Sequence, residues 1–144
     1  MNAAALAWPV TIGMASRMSG VTPKMVRHYE SLGLLPSVGR TDSGYRQYSE
    51  ADVHTLRFIK RSRELGFSMA DIGELVSLWR SRRRASANVK RIAQRHSDEL
   101  GLRIEAMQAM QRTLQHLIHC CHGDERPDCP ILDDLAGLHD PAHA

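Results

Sequence analysis

A mainly α fold is predicted: a helix-turn-helix head with a two-stranded wing, then one long helix, then a short cysteine-bearing loop. Three observations predict it. From Ser86 to Cys121, Val89, Ala93, His96, Leu100, Arg103, Met107, Met110, Leu114, Leu117 and Cys121 recur at alternating steps of four and three. That is the a/d spacing of a coiled-coil helix, broadened by Ile92, Ile104 and Ile118, and imperfect at His96 and Arg103. Ahead of it, short 3.6-period segments follow one another, each preceded by Thr or Ser in a capping position. Finally, charge is split: residues 1–95 hold 16 Lys/Arg against 7 Asp/Glu, a balance of +9, whereas 96–144 hold 3 against 9, a balance of −6.

Composition bounds the rest. A chain of 144 residues makes one domain, or two small ones sharing a core. No apolar run is long enough to span a bilayer. A small region at +9 suggests a polyanionic partner, with nucleic acid ahead of membrane because no basic amphipathic face bearing Trp or Phe is visible. Met1 to Val10 is Ala-rich but lacks a basic start, so a disordered extension on a cytoplasmic protein is expected. Three cysteines, an odd number, argue for reduced thiols rather than a disulfide framework. No nucleophile–base constellation or phosphate-binding loop points to an enzyme.

In chain order, Thr11 caps a short helix with Ile12, Ala15 and Met18 on one face. Ser19-Gly20-Val21 is a turn. Thr22 caps the next helix, with Pro23 at its first position, where a missing N–H costs nothing. Met25, Val26 and Tyr29 point inward, leaving Lys24, Arg27 and His28 outside. Two helices joined by a Gly-containing turn form a helix-turn-helix arrangement. After Leu32-Gly33-Leu34-Leu35-Pro36, the Asp42-Ser43-Gly44 turn lies between short strand-like segments. The wing so formed has Arg40, Tyr45 and Arg46 at its edge, residue types suited to phosphate contact.

Ser49 caps a third helix, with Asp52 where a capping box would hold Glu. Val53, Leu56 and Ile59 form its apolar face; Arg57, Lys60, Arg61 and Arg63 form its polar one. Leu65-Gly66-Phe67 ends it. Ser68 caps a fourth helix with Ile72, Leu75, Val76 and Trp79 inward, and Arg80 to Arg84 reads as a solvated link. The long helix would then run roughly 50 Å at about 1.5 Å per residue. One apolar stripe of that length cannot bury itself, and little chain remains to cover it, so a second copy of the protein is the expected partner.

The stretch Val21 to Glu30, then Gly33-Leu34, Arg40 through Tyr48, and Leu65-Gly66-Phe67 resembles the winged-helix head of the MerR family of transcription regulators. The resemblance covers residues 11 to 132. It implies a homodimer joined by an antiparallel coiled coil. Such a dimer would bind a pseudo-palindromic element of double-stranded promoter DNA, act with RNA polymerase, and sense an inducer near the coiled-coil end. It also implies that Lys24, Arg27, His28, Tyr29, Arg40, Tyr45 and Arg46 serve DNA binding. The divisions expected are an extension at 1–10, the winged head at 11–80, a linker and dimerisation helix at 81–120, a metal-binding loop and short helix at 121–135, and a disordered tail at 136–144.

Cys120, Cys121 and Cys129 all follow the long helix. Gly123 suits a C′ position, which puts Cys121 on the last turn, and Gly and Pro in the loop can fold Cys129 back towards it. Ile131 to Leu135 resembles a short covering helix. Soft thiolates favour ions such as Cu(I), and a monovalent d¹⁰ ion is satisfied by two ligands, whereas tetrahedral zinc needs four donors. Cys121 and Cys129 match the Cys-x₇-Cys-Pro of the copper-responsive CueR/HmrR branch. The position at which divalent-metal members carry a third cysteine looks to be Ser86. That resemblance implies a Cu(I) site, open also to Ag(I) or Au(I), formed by Cys121 and Cys129, and activation of copper-efflux or detoxification genes. Metal would order the loop, shift the dimer helix and deform the promoter. Cys120 points about 100° away from Cys121 and reads as a spare thiol. His116, His119 and His122 read as solvated or core histidines. The same residues leave open a regulator that senses a divalent metal or thiol oxidation, and a copper chaperone with an incidental basic head.

Overall fold

The structure, a computed structural model, describes residues 7–36, 38–81, 86–121, 123 and 129–138. The outer part of the expected extension (1–6), the link at 82–85 and the end of the expected tail (139–144) lie outside the described residues. Among the described residues six helices run in chain order, α1 (Ile12–Ser19), α2 (Pro23–Ser31), α3 (Glu50–Glu64), α4 (Met69–Arg80), α5 (Ser86–Cys120) and α6 (Pro130–Leu135), with β1 (Gly39–Arg40) and β2 (Arg46–Gln47) between α2 and α3. Two compact units divide this chain, one ending at Ile92 and the other beginning at Ala93.

Helix starts in the first unit follow from local chemistry. The side chains of Thr11, Thr22 and Ser68 accept the amides of Met14, Met25 and Asp71, satisfying N–H groups that the first turn leaves open. Asp52 does the work of the expected Glu at the start of α3. Its carboxylate accepts the Ser49 amide at 2.8 Å, and the Ser49 hydroxyl accepts the Asp52 amide at 3.1 Å, which completes a capping box. α3 stops where Gly66 takes φ +83°, so that the amides of Gly66 and Phe67 bond back to the carbonyls of Arg63 and Ser62. The turn between α1 and α2 is equally demanding, with Gly20 at φ +76° and a Cβ there set to meet the Lys60 amine at 2.6 Å.

The core of this unit is one cluster. Val26, Val53, Leu56, Ile59 and Ile72 are fully buried with Ala15, Tyr48 and Val76, and Met18, Met25, Phe58 and Phe67 pack around them. The inward faces read from periodicity are found there, except that Leu75 is buried outside the cluster and Trp79 is not buried. Trp79 is 39% exposed and lies at the rim, its ring stacked on Phe58 with centroids 4.7 Å apart. Burial at the end of a helix depends on what lies beyond it, which a 3.6 period does not report.

The expected extension through residue 10 is corrected by two bonds. Val10 exchanges both backbone hydrogen bonds with Tyr48, at 2.8 and 2.9 Å, and Trp8 packs on the core. Ordered chain therefore begins before Thr11, held by a strand pairing between residues far apart in sequence. Arg80 is likewise a fastener and not part of a solvated link: its guanidinium donates to the Leu34 carbonyl at 2.7 Å and to the Thr55 hydroxyl at 3.1 Å.

α5 is one unbroken helix with Gly101 inside it; Ile92 near its start is buried, whereas most of the large apolar residues from Leu102 onward are open to solvent. Met107 is 66% and Met110 62% exposed, and Leu102, Ile104, Leu114 and Ile118 are exposed with them. α6 adds Leu132 and Leu135, also exposed.

Candidate nucleic-acid interface and candidate metal site

Pro23 begins α2 with φ suited to a helix, and burying Val26 and Tyr29 turns Lys24, Arg27 and His28 outward, all three exposed. Tyr29 is only 5% exposed and belongs to the core cluster, as its inward position on the helix predicts, which leaves little of it for a phosphate. The His28 and Tyr29 rings lie 5.9 Å apart and tilted.

The wing is an antiparallel pair with Gly39 opposite Gln47 and Arg40 opposite Arg46. Its Asp42-Ser43-Gly44 turn is closed by the Thr41 amide on the Tyr45 carbonyl at 2.8 Å, and the Thr41 hydroxyl accepts the Tyr45 amide at 3.1 Å. Tyr45 at the tip is 74% exposed, and Arg40 is exposed on β1. Arg46 is held differently. Its Nε lies 3.1 Å from Oε1 and 2.9 Å from Oε2 of Glu30, near the end of α2, and the pair is partly buried. The Tyr48 hydroxyl donates to the same carboxylate at 3.2 Å. Burial, then the negative charge and hydrogen bond of Glu30, push the Tyr48 phenol up to about 12, so it stays protonated. Periodicity and composition do not single out Glu30. The signal available was an acid on the same helix as Lys24 and Arg27, together with the two-residue step from Arg46 to Tyr48 that puts both side chains on one face of a strand.

At the far end of α5, the Cys121 amide still bonds to the carbonyls of Leu117 and Ile118, at 3.0 and 3.1 Å, so Cys121 closes the final turn as expected. Gly123 follows with φ +65°. Cys129 precedes Pro130 and occupies the N-cap position of α6. Cys121 and Cys129 are free thiols and half-buried; Cys120 is exposed, 3.8 Å from the Nε2 of His116. His122 and residues 124–128 lie outside the described residues. Among the described residues no three His, Cys, Asp or Glu side chains gather as a metal-binding group. Two partly shielded sulfurs bracketing a short loop form a donor set that fits a two-coordinate soft ion. Ser86, on the first turn of α5, brings a hydroxyl and no thiolate.

Residues 10–78 match the family described as "MerR HTH family regulatory protein", and residues 53–117 match "MerR, DNA binding". The chain belongs to the MerR family. Among its relatives is the transcriptional regulator HmrR of Sinorhizobium medicae, 55% identical over 127 residues that cover 88% of this chain and 86% of that protein. Heavy metal-dependent transcription regulator 1 of Rhizobium meliloti is 49% identical, with 91% and 90% covered. The transcriptional regulator CueR of Escherichia coli O6:H1 is 35% identical, with 89% and 95% covered. These relatives agree with the CueR/HmrR branch of the family. Among solved structures, PbrR691 from Ralstonia metallidurans in complex with lead(II) superposes with a TM-score of 0.78 at 27% identity, covering 88% of this chain and 98% of that one. The winged helix-turn-helix head and the long helix that follows it are thus the family's architecture, and the chain is a metal-responsive MerR-type transcriptional regulator.

Proposed function

We propose that this regulator binds a pseudo-palindromic promoter as a homodimer and activates copper-efflux or detoxification genes when Cu(I), or Ag(I) or Au(I), binds between Cys121 and Cys129. The observation that carries the reading is the thiol pair itself. Two free, half-buried sulfurs flank the loop after α5, and the helix start that could add a third thiolate carries Ser86. Thiolates are soft donors, and a d¹⁰ monovalent ion needs only two of them. Relatives named for heavy metals support metal response in general; Ser86 supports the monovalent choice within it.

The remaining residues take roles that follow from their positions. The solvent-exposed apolar residues of α5 would pack against the same face of a second copy as an antiparallel coiled coil. Lys24, Arg27 and His28 on α2 would enter a major groove, while Arg40, Tyr45 and Arg46 would hold flanking phosphates. Tyr29 supports α2 from the core. In this reading the DNA-binding head comes first, the dimerisation helix next and the thiol loop last, and the protein would act in the cytoplasm with RNA polymerase at the promoter. No described helix is long and apolar enough to cross a membrane.

An anaerobic titration of the reduced protein with Cu(I), Ag(I), Zn(II) and Pb(II), each against a competing chelator, tests the reading. Tight uptake of the monovalent ions with Zn(II) and Pb(II) bound far more weakly is expected. A preference for either divalent ion would overturn it.

A further inference from the structure

The acid at the end of α2 has no place among the roles above. A carboxylate beside DNA-binding cations repels phosphates, so on charge alone Glu30 should weaken binding. Yet it is partly buried and fully engaged. Arg46 reaches both of its oxygens through Nε at 2.9 and 3.1 Å, and the buried Tyr48 hydroxyl donates to it at 3.2 Å. Both donors come from one end of the wing, two residues apart on the same face of the strand. The backbone of Tyr48 is in turn paired with Val10, so the outgoing strand is gripped from two sides.

We propose that Glu30 is a positioning residue for DNA binding: its carboxylate clamps the wing, through Arg46 and Tyr48, to the same helix that carries Lys24, Arg27 and His28. A wing of two-residue strands has too few ladder bonds to hold its own direction. The charge-assisted bonds from Arg46 are stronger than neutral ones and fix orientation as well as distance. With the clamp closed, the groove-facing residues of α2 and the phosphate-facing Arg40 and Tyr45 meet the duplex as one rigid surface, and less ordering is left to be done on binding. Arg46 then has two functions, bracing through Nε and offering its terminal nitrogens to a phosphate.

Charge and clamp predict opposite signs, which makes the test decisive. Binding of the full-length dimer to a fluorescein-labelled duplex of mixed sequence would be followed by anisotropy over a range of salt, for the wild type, Glu30→Gln, Glu30→Asp, Arg40→Ala, Arg46→Ala and Arg46→Ala with Glu30→Gln. Thermal melting of each variant selects those that fold as the wild type does, and either Glu30 variant suffices. The clamp predicts that Glu30→Gln weakens binding about tenfold, the loss of one charge-assisted bond, although a negative charge has been removed. Glu30→Asp, which keeps the charge but shortens the reach, should weaken it too. In the Arg46→Ala background only the Tyr48 bond to Glu30 remains, so the loss on Glu30→Gln should fall well below tenfold. Tighter or unchanged binding of the single Glu30 variants would overturn the proposal. The inference rests on the DNA-binding half of the proposed function and not on the copper half. If Arg40→Ala leaves binding and its salt dependence unchanged, the wing reading fails with it; if only the Glu30 variants do so, the clamp alone fails.

Discussion

The head and the long helix differ in where their apolar residues go. Leu56, Ile59 and Ile72 in the head are wholly buried by their own chain, whereas Met107 and Met110 on α5 stand more than half exposed. Both stretches are equally periodic in sequence. In the head, the stripe of α3 is matched within about 70 residues by α1, α2 and α4, and the result is a closed core. In α5 the stripe from Met107 to Ile118 is left largely open by the described residues. Periodicity therefore announces that a face will be buried, and only the inventory of neighbouring elements tells whether one chain suffices.

That contrast can be broken in several ways. The largest effect is expected at the thiol pair beyond α5. Cys121→Ser or Cys129→Ser should abolish metal induction in a promoter–reporter assay while gel-shift affinity for the promoter stays near wild type, and Cys120→Ser should do neither. Loss of promoter binding in the first two would show that the loop and the head do not divide the labour. Next come the two kinds of apolar residue. Leu56→Ala should cost about 2–5 kcal/mol in denaturant unfolding of the head, independent of protein concentration. Leu114→Ala should instead lower the midpoint more strongly in dilute samples if, as proposed, a second copy completes the face it belongs to. Equal concentration dependence for both would erase the distinction.

Smaller effects sharpen the account of the head. The Tyr48 phenol is raised from its ordinary 10 to about 12. A proton held more tightly when folded adds stability that is complete below pH 10 and is lost as pH climbs through 12, at most about 2–3 kcal/mol. Tyrosinate absorbance should show one tyrosine ionising late, and Tyr48→Phe should remove both the late step and the alkaline decline. The smallest change is Arg40→Ala, an exposed cation whose removal should reduce the salt slope of DNA binding by about one phosphate contact without touching stability.

How much of this could be read in advance follows from the range of each interaction. Thr11, Thr22, Ser49 and Ser68 were legible as helix starts because a cap acts within three residues of itself. The ends at Gly20 and Gly66 were legible because glycine marks a left-handed turn. The wing was visible from Asp42-Ser43-Gly44. Pairings across long separations left little or no local trace: Val10 with Tyr48, Arg80 with Leu34 and Thr55, and Glu30 with Arg46. Those three correct the expected extension and the expected solvated Arg80, and reveal a brace where only a phosphate contact had been expected. At the candidate metal site, the spacing of Cys121 and Cys129 and the serine at 86 came directly from the sequence, and the structure adds their half-buried positions at the end of α5 and the start of α6.

X-ray absorption at the copper edge of the Cu(I)-loaded, reduced dimer tests the central claim most directly. The account predicts a first shell of two sulfurs and no other donor, lost together in Cys121→Ser. A first shell containing a third sulfur, or nitrogen or oxygen donors, would contradict it.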